Sequence, residues 1–404
     1  MDLYCCLICI YQRRILFLNH MRRSDTDNSE LCTLSYFIRK HITAVSSSYN
    51  VSILAMSDIG NGTHSSPVTP SPVSVAQGSV LRPLLFTVYT SPISTIAQSQ
   101  HFSQQQYADD TQLYLALSTA NHSQSISALQ SCLNSLHIWF CENGMALNPN
   151  KSGAILSGTP QRLKSLSWLK SVNVAGAVIP LSDKIKILRT TLDTNLTMVP
   201  HIKALLSSCF YHIRSFSQTH SLLDDSMAVS FASALISSRL DQLNSILYGT
   251  PLKNTARLQR IQRATARVVL YQYSRVSPLS SDELLKQLHW LPIEWRIRFK
   301  LATLTFKALH SGHLSYLSDL LQYHESTRSL RSSSTHQLSV PSHNLTFGNR
   351  AFRFSTPRVW NSLPVSIREY QSLLTFRRHL KTFYFQSAYP FSCPPCLEYL
   401  CPRV

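Results

Sequence analysis

Asp109 and Asp110 stand side by side in the run Tyr107-Ala108-Asp109-Asp110-Thr111-Gln112-Leu113-Tyr114, with short β-type patterning on either side. The chain has only 20 Asp+Glu against 38 Lys+Arg, so a clustered acid pair carries information. Leu113 and Leu115 fall on one face of the following run and Tyr114 on the other, which predicts a strand. A hairpin with the acids at its tip follows, although Asp at a tip is also ordinary turn chemistry. Helical periods flank it. Leu81, Leu84, Leu85, Val88 and Ile93 predict a helix carried past Pro83 near its first turn. Ile126, Leu129, Leu133, Leu136 and Phe140 recur at steps of three and four, the pattern of an amphipathic helix. Ala154 to Leu156 supplies a short strand after the Asn148-Pro149-Asn150-Lys151 turn. Helices mixed with a hairpin-bearing sheet make this region α+β.

Composition removes several classes. The formal net charge is +18 over 404 residues, yet only 14% of residues are charged, so the basic balance comes from scarce acids. It points to a polyanionic partner. Hydrophobic residues at 44% can fill a core, which argues against wholesale disorder. Ten glycines argue against a Gly-rich dinucleotide or P-loop protein. No apolar run approaches the roughly 20 residues that span a bilayer, so no membrane partner is expected. Leu3 to Tyr11 is apolar but lacks a basic region ahead of it, a poor fit to a signal peptide. Ten cysteines are too sparse for a disulfide scaffold and read as reduced thiols of an intracellular protein, nuclear or cytoplasmic and not secreted. Cys393, Cys396 and Cys401 have one spacing used by zinc ligands but no fourth ligand follows, and a Pro-rich tail is the default. Asn61-Gly62-Thr63 is a glycosylation sequon that reads as a turn.

The chain divides by composition. Residues 1–45 form an unassigned basic segment, and 46–74 a Ser/Thr/Pro-rich loop. A compact block covers 75–199, helical patterning 200–325, a Ser-rich connector 326–346, and a basic-aromatic segment with its tail 347–404.

Three ordered motifs carry a family resemblance. Gln77-Gly78-Ser79-Val80-Leu81-Arg82-Pro83-Leu84-Leu85-Phe86 resembles the reverse-transcriptase motif that precedes the catalytic hairpin. Tyr107 to Tyr114 resembles that hairpin, and Leu147-Asn148-Pro149-Asn150-Lys151 the lysine-bearing turn after it. The similarity is to non-LTR (LINE-type) retrotransposon polymerases. It continues through Ser238-Arg239-Leu240-Asp241, Leu258-Gln259-Arg260-Ile261-Gln262, Leu288-His289-Trp290-Leu291-Pro292 and Val359-Trp360-Asn361-Ser362-Leu363-Pro364.

That resemblance implies a partial polymerase palm, a small antiparallel sheet with helices, followed by a mainly helical thumb-like and C-terminal region. It implies RNA-directed DNA polymerase as the ancestral activity, with an RNA template and a DNA primer as partners. Two-metal nucleotidyl transfer needs carboxylate oxygens around Mg²⁺; the resemblance gives Asp109 and Asp110 that role. It makes Lys151 the proton donor to the leaving pyrophosphate, and places Gln77, Gly78 and Ser79 along the template and incoming nucleotide. The alternatives are a solvated lysine and helix capping by Ser79.

Reverse transcriptases also carry a metal-binding aspartate on an earlier strand. Upstream of Gln77 stand only Asp2, Asp25, Asp27, Glu30 and Asp58, none in the family setting. Arg82 replaces a family glycine, Ala76 a proline, and Leu188-Arg189-Thr190 stands for Leu-Gly-Val. The chain thus reads as a decayed C-terminal part lacking endonuclease, fingers and first catalytic strand, inactive by itself. The other reading is a catalytically dead nucleic-acid-binding protein, or an unselected transposon relic. The sheet is expected to be incomplete, its edge open or covered by Ser46 to Ser74.

Arg257, Arg260, Arg263 and Arg267 step onto one helical face beside the apolar stripe Leu258, Ile261, Thr265 and Val268. This suits a thumb gripping a nucleic-acid backbone, and equally a solvated basic face. Trp290, Trp295, Trp360, Phe352 and Phe354 are expected in the core, and His289 carries no assigned chemistry.

Overall fold

The computed structural model describes residues 4–14, 80, 82–117, 122–271, 279–310, 312, 314–324, 336–341 and 348–390. Gln77, Gly78 and Ser79, the acids upstream of them, the 46–74 segment, and Cys393, Cys396 and Cys401 lie outside those residues. The chain divides into two compact units, Met1–Ile185 and Lys186–Val404. The class is the expected one: helices with small antiparallel sheets, an α+β protein.

The first unit is a five-stranded sheet backed by helices. β1 (Tyr4–Arg14) precedes α1 (Arg82–Tyr89) and α2 (Pro92–Ser99); Pro92 starts α2 after the Thr90-Ser91 turn, so the one helix expected from Leu81 onward is two. β2 (Ser103–Tyr107) and β3 (Asp110–Leu117) form the hairpin. α3 (His122–Glu142) follows, then β4 (Met145–Leu147), β5 (Gly153–Ser157) and the short α4 (Pro160–Ser165). α3 buries Leu129, Cys132, Leu133, Leu136 and Phe140 against Leu113 and Leu117 of β3 and Ile93 and Ala97 of α2. Burying each large side chain in that layer stabilises it by about 1.5–3 kcal/mol.

The strand order is β2-β3-β1-β4, with β5 also on β1. Tyr4–Arg14, within the segment that carries no assignment from sequence, therefore supplies the central strand; β2 pairs only with β3 among the described residues, and the 46–74 segment named as an edge cover lies outside them. β1 pairs along its length with β3, from Tyr4↔Leu117 to Tyr11↔Asp110. On its other side it pairs with β5, Cys5↔Ser157 to Cys9↔Gly153, and with β4, Gln12↔Leu147 to Arg14↔Met145. An unbroken apolar run from Tyr4 to Tyr11, of strand length, is the pattern of an interior strand.

Two ribbons have no sequence forecast. β6 (Ser171–Val174) and β7 (Ala177–Pro180) turn at Ala175-Gly176, and β8 (Lys184–Ile187) and β9 (Thr190–Asp193) at Leu188-Arg189. All four turn residues have positive φ, the geometry of two-residue type I′ hairpins.

The second unit is helical. α5 (Val199–Thr219) starts behind a cap in which Asp193 accepts from the Thr197 and Met198 amides, both at 2.9 Å. α6 (Asp225–Ala232) runs through a π turn, Ser233–Ser237, into a last turn, Ser238–Asp241. α7 (Leu252–Val269), α8 (Ser281–Gln287), α9 (Ile293–His310), α10 (Ser315–Ser318), α11 (Phe352–Asn361), α12 (Val365–Arg368) and α13 (Leu373–Ala388) complete it. Its core gathers Phe216, Leu258, Ile261, Leu301, Phe306, Trp360, Phe376 and Leu380. Trp360 is fully buried, and Trp290, Trp295 and Phe352 pack against the same core, as expected for them.

The downstream sequence blocks are scaffold. Gln262 of α7 donates to the Leu291 carbonyl at 2.8 Å, and the Ile293 amide donates to Gln259 at 2.9 Å. Together they satisfy backbone groups where α9 begins, a point that otherwise leaves amides without partners. Asn361 brackets Leu338, donating to its carbonyl at 2.8 Å and accepting from its amide at 2.9 Å.

Candidate functional site

The acid pair occupies the tip of the β2–β3 hairpin. Tyr107 pairs with Asp110, leaving Ala108 and Asp109 as a two-residue loop. Ala108 has φ 51°, a left-handed conformation that costs a residue with a Cβ. Asp109 is exposed, and Asp110 is half-buried as the first residue of β3. The tip is tied down from behind: Gln106 Nε2 donates to Thr90 Oγ1 at 2.9 Å and to the Ala108 carbonyl at 3.1 Å. Thr90, itself buried, donates to the Phe86 carbonyl at 2.8 Å. The hairpin is thus fixed to the end of α1.

Lys151 is exposed in the turn between β4 and β5, where the Lys151 and Ser152 amides both donate to the Asn148 carbonyl, at 3.2 and 3.0 Å. β4 and β5 lie along the same side of β1, one after the other, and the turn spans the positions of Ile10 and Tyr11 between them. Across β1, those two residues pair with Thr111 and Asp110. The Lys151 turn and the acid pair therefore sit at one level of the sheet, two strand spacings or about 10 Å apart. A shallow cleft of about 330 Å³ is lined by Pro149, Asn150, Ser152 and Gly153 and by residues 177–180 and 182; neither the acids nor Lys151 line it.

The Mg²⁺ that the resemblance implies would need carboxylate oxygens as donors. Among the described residues, no group of three or more His, Cys, Asp or Glu could hold a metal ion. β1, the strand beside Asp110, is YCCLICIYQRR and contains no acid. Two neighbouring carboxylates can attract one hard cation, but a pair of Mg²⁺ ions needs a fuller shell of oxygen ligands. The described residues do not fit a two-metal centre.

The four arginines of α7 share a face but not a state. Arg263 pairs with Asp282 at 2.9 Å, and Arg267 donates to Ser281 Oγ at 3.0 Å, both at the start of α8. Arg257 and Arg260 form no ion pair among the described residues. One basic helix face has no counterpart in the sequence reading: α5, twenty-one residues without an acid, exposes Lys203, Tyr211 and Arg214. Beside it, His212 titrates below the usual histidine value, through burial first and then the positive charge of Arg239. Its signal in the sequence is the absence of acids.

Among the described residues, no helix is long and apolar enough to cross a membrane. No family model and no solved structure matches the chain. It is similar to a Drosophila melanogaster protein described as "Probable RNA-directed DNA polymerase from transposon BS", at 30% identity over 146 residues. That stretch is 35% of this chain and 16% of the fly protein, so the chain spans about a sixth of its relative's length. Over that stretch, the chain is related to an RNA-directed DNA polymerase encoded by a transposon.

Proposed function

We propose that this chain is a nucleic-acid-binding protein derived from a non-LTR reverse transcriptase, and that it does not catalyse nucleotidyl transfer by itself. On this reading the first unit is a palm remnant in which Asp109, Asp110 and Lys151 persist from an active ancestor, with Gln77, Gly78 and Ser79 along the template path. The helical unit is the thumb-like grip, and the ligands are RNA or DNA, in the nucleus or cytoplasm. The observation that carries the proposal is the register Tyr11↔Asp110: the strand beside the acid pair brings no carboxylate to it. A Mg²⁺ ion bound there would supply charge neutralisation for phosphate oxygens. The protein's own residues can hold one such ion loosely at Asp109 and Asp110, with Lys151 offering a positive charge to an anion nearby.

The test is primer extension. The purified chain, given a primed RNA template, Mg²⁺ and deoxynucleotides, should extend no primer beyond an Asp109→Asn control. It should still bind nucleic acid, with affinity falling steeply as salt rises. Extension that depends on Asp109 would overturn the proposal, as would affinity that ignores salt.

A further inference from the structure

The exposed positions of α5 include Val199, Lys203, Ser207, Tyr211, Arg214 and Gln218, a stripe at helical spacing along the outer face. Tyr211 near its centre is 70% exposed and makes an edge-on contact with His212, ring centroids 5.4 Å apart. Lys203 and Arg214 flank it, about 12 Å and about 4.5 Å away along the axis at 1.5 Å per residue. Neither forms an ion pair among the described residues, and no acid lies anywhere on the helix. Arg239 adds positive charge at His212.

We infer that this face of α5 binds single-stranded nucleic acid, with Tyr211 stacking on an unpaired base and Lys203 and Arg214 holding the flanking phosphates. The inference rests on the nucleic-acid reading above and gives it a ligand form. Beyond Val199 at its start, the stripe joins two cations and an aromatic ring to a serine and a glutamine, too polar a face for an apolar protein partner, and its charge complements a polyanion. In a duplex, base faces are covered by their neighbours, so a protruding ring finds a stacking partner only on an unpaired strand. Base–aromatic stacking with adjacent cations is the physical basis of sequence-tolerant single-strand binding.

The experiment measures binding of the full chain to a fluorescein-labelled oligo(dT) of about 20 nucleotides, longer than the ~4–16 that one binding fold occupies. A duplex of similar length is measured in parallel. Tyr211→Ala should weaken the single strand by about 5- to 150-fold, the loss expected for one stacked base. It should leave the duplex unchanged, while Tyr211→Phe, which keeps the ring, stays near wild type. Replacing Lys203 and Arg214 by Gln should lower the single-strand salt slope by about 1.4, at roughly 0.7 per phosphate. Matching circular dichroism and melting curves confirm that each variant folds. Unchanged oligo(dT) affinity in Tyr211→Ala, or equal loss on both probes, overturns the inference. Duplex binding with Tyr211 silent removes it alone, whereas failure of both probes removes the proposed function as well. If Tyr211→Ala instead abolishes self-association in sedimentation and leaves oligo(dT) affinity intact, the face belongs to a second copy and the inference falls.

Discussion

Arg296 of α9 grips Asp241, the last residue of the α6 segment, with two prongs: Nε donates to Oδ1 at 2.8 Å and Nη2 to Oδ2. The guanidinium is largely buried, its side chain 16% exposed, and Asn244 donates to the same carboxylate at 3.2 Å. A planar fork meeting a carboxylate fixes distance and angle together. The pair therefore locks two helices whose residues are far apart in sequence. Arg296→Ala should cost about 1.5–3 kcal/mol, the range for hydrogen bonds to charged groups. In urea unfolding, the Asp241→Ala, Arg296→Ala double variant should lose less than the sum of the singles. Additive losses would mean the two residues act independently.

Ala108 holds φ 51° at the tip of the acid hairpin. Glycine has no Cβ to strain there, so Ala108→Gly should stabilise the first unit by about 0.5–1 kcal/mol, net of the flexibility it adds to the unfolded chain. Thermal or urea midpoints check this, and a loss of stability would argue against the two-residue loop.

The arginines of α7 should separate by partner. Replacing Arg257 and Arg260 by Gln should lower the salt slope for duplex binding by about 1.8, at roughly 0.9 per phosphate contacted. Replacing Arg263 and Arg267 should change it less, because Asp282 and Ser281 already engage them. Equal effects would show that those contacts yield to nucleic acid, and no effect from either pair would return the face to a solvated surface.

Position 11 faces Asp110 in the β1–β3 register. Directly opposed positions carry their Cβ atoms about 4.5–5.5 Å apart on the same face. Tyr11→Asp should therefore bring a third carboxylate to the acid pair and tighten Mn²⁺ binding, read by electron paramagnetic resonance, by at least about tenfold. Tyr11→Asn is the uncharged control. Equal Mn²⁺ affinity in both variants would contradict the register.

Cys132 and Cys209 are fully buried, and burial pushes each thiol up to about 11 from its ordinary 9.0. The unfolded thiols ionise first. Their stabilising effect is therefore whole below pH 9 and is lost as pH rises through 11. Each should forfeit on the order of 2–3 kcal/mol across that window, at about 1.4 kcal/mol per pH unit. Urea midpoints from pH 8 to 11 should fall more steeply for the wild type than for Cys132→Ala or Cys209→Ala, each compared with its own value at pH 8. Iodoacetamide should label the exposed Cys141 of the native chain and spare these two.

The local elements were legible wherever the pattern was local. Steps of three and four from Ile126 to Phe140 specify a helix with one apolar face, and α3 buries that face. Alternation around Leu113 specifies a strand, and the adjacent acids mark its turn. The ribbon turning at Leu188-Arg189 was illegible, because neither residue carries the Gly or Asn signature of positive φ. The blocks around Gln259, Gln262 and Asn361 stood out in sequence, but only the fold assigns them to holding backbone at 291–293 and 338.

For the candidate site, the order of residues alone sets the charge balance, the acid pair and the lysine turn. Long-range pairing chose what stands beside them. Residues 4–11 are an apolar run with no period of their own, and the partners of their strand, 110–117, 145–147 and 153–157, come about a hundred residues or more later. Strand pairing is a long-range choice made by register, so the sequence could not show that Tyr11 faces Asp110 or that the Lys151 turn lies across β1 from it. Nor could helical spacing show which α7 arginines are engaged, since Asp282 and Ser281 reach them only once α8 packs. Local patterns are fixed by steric and hydrophobic periodicity within a few residues; the site's composition is fixed by contacts that form only when distant segments close.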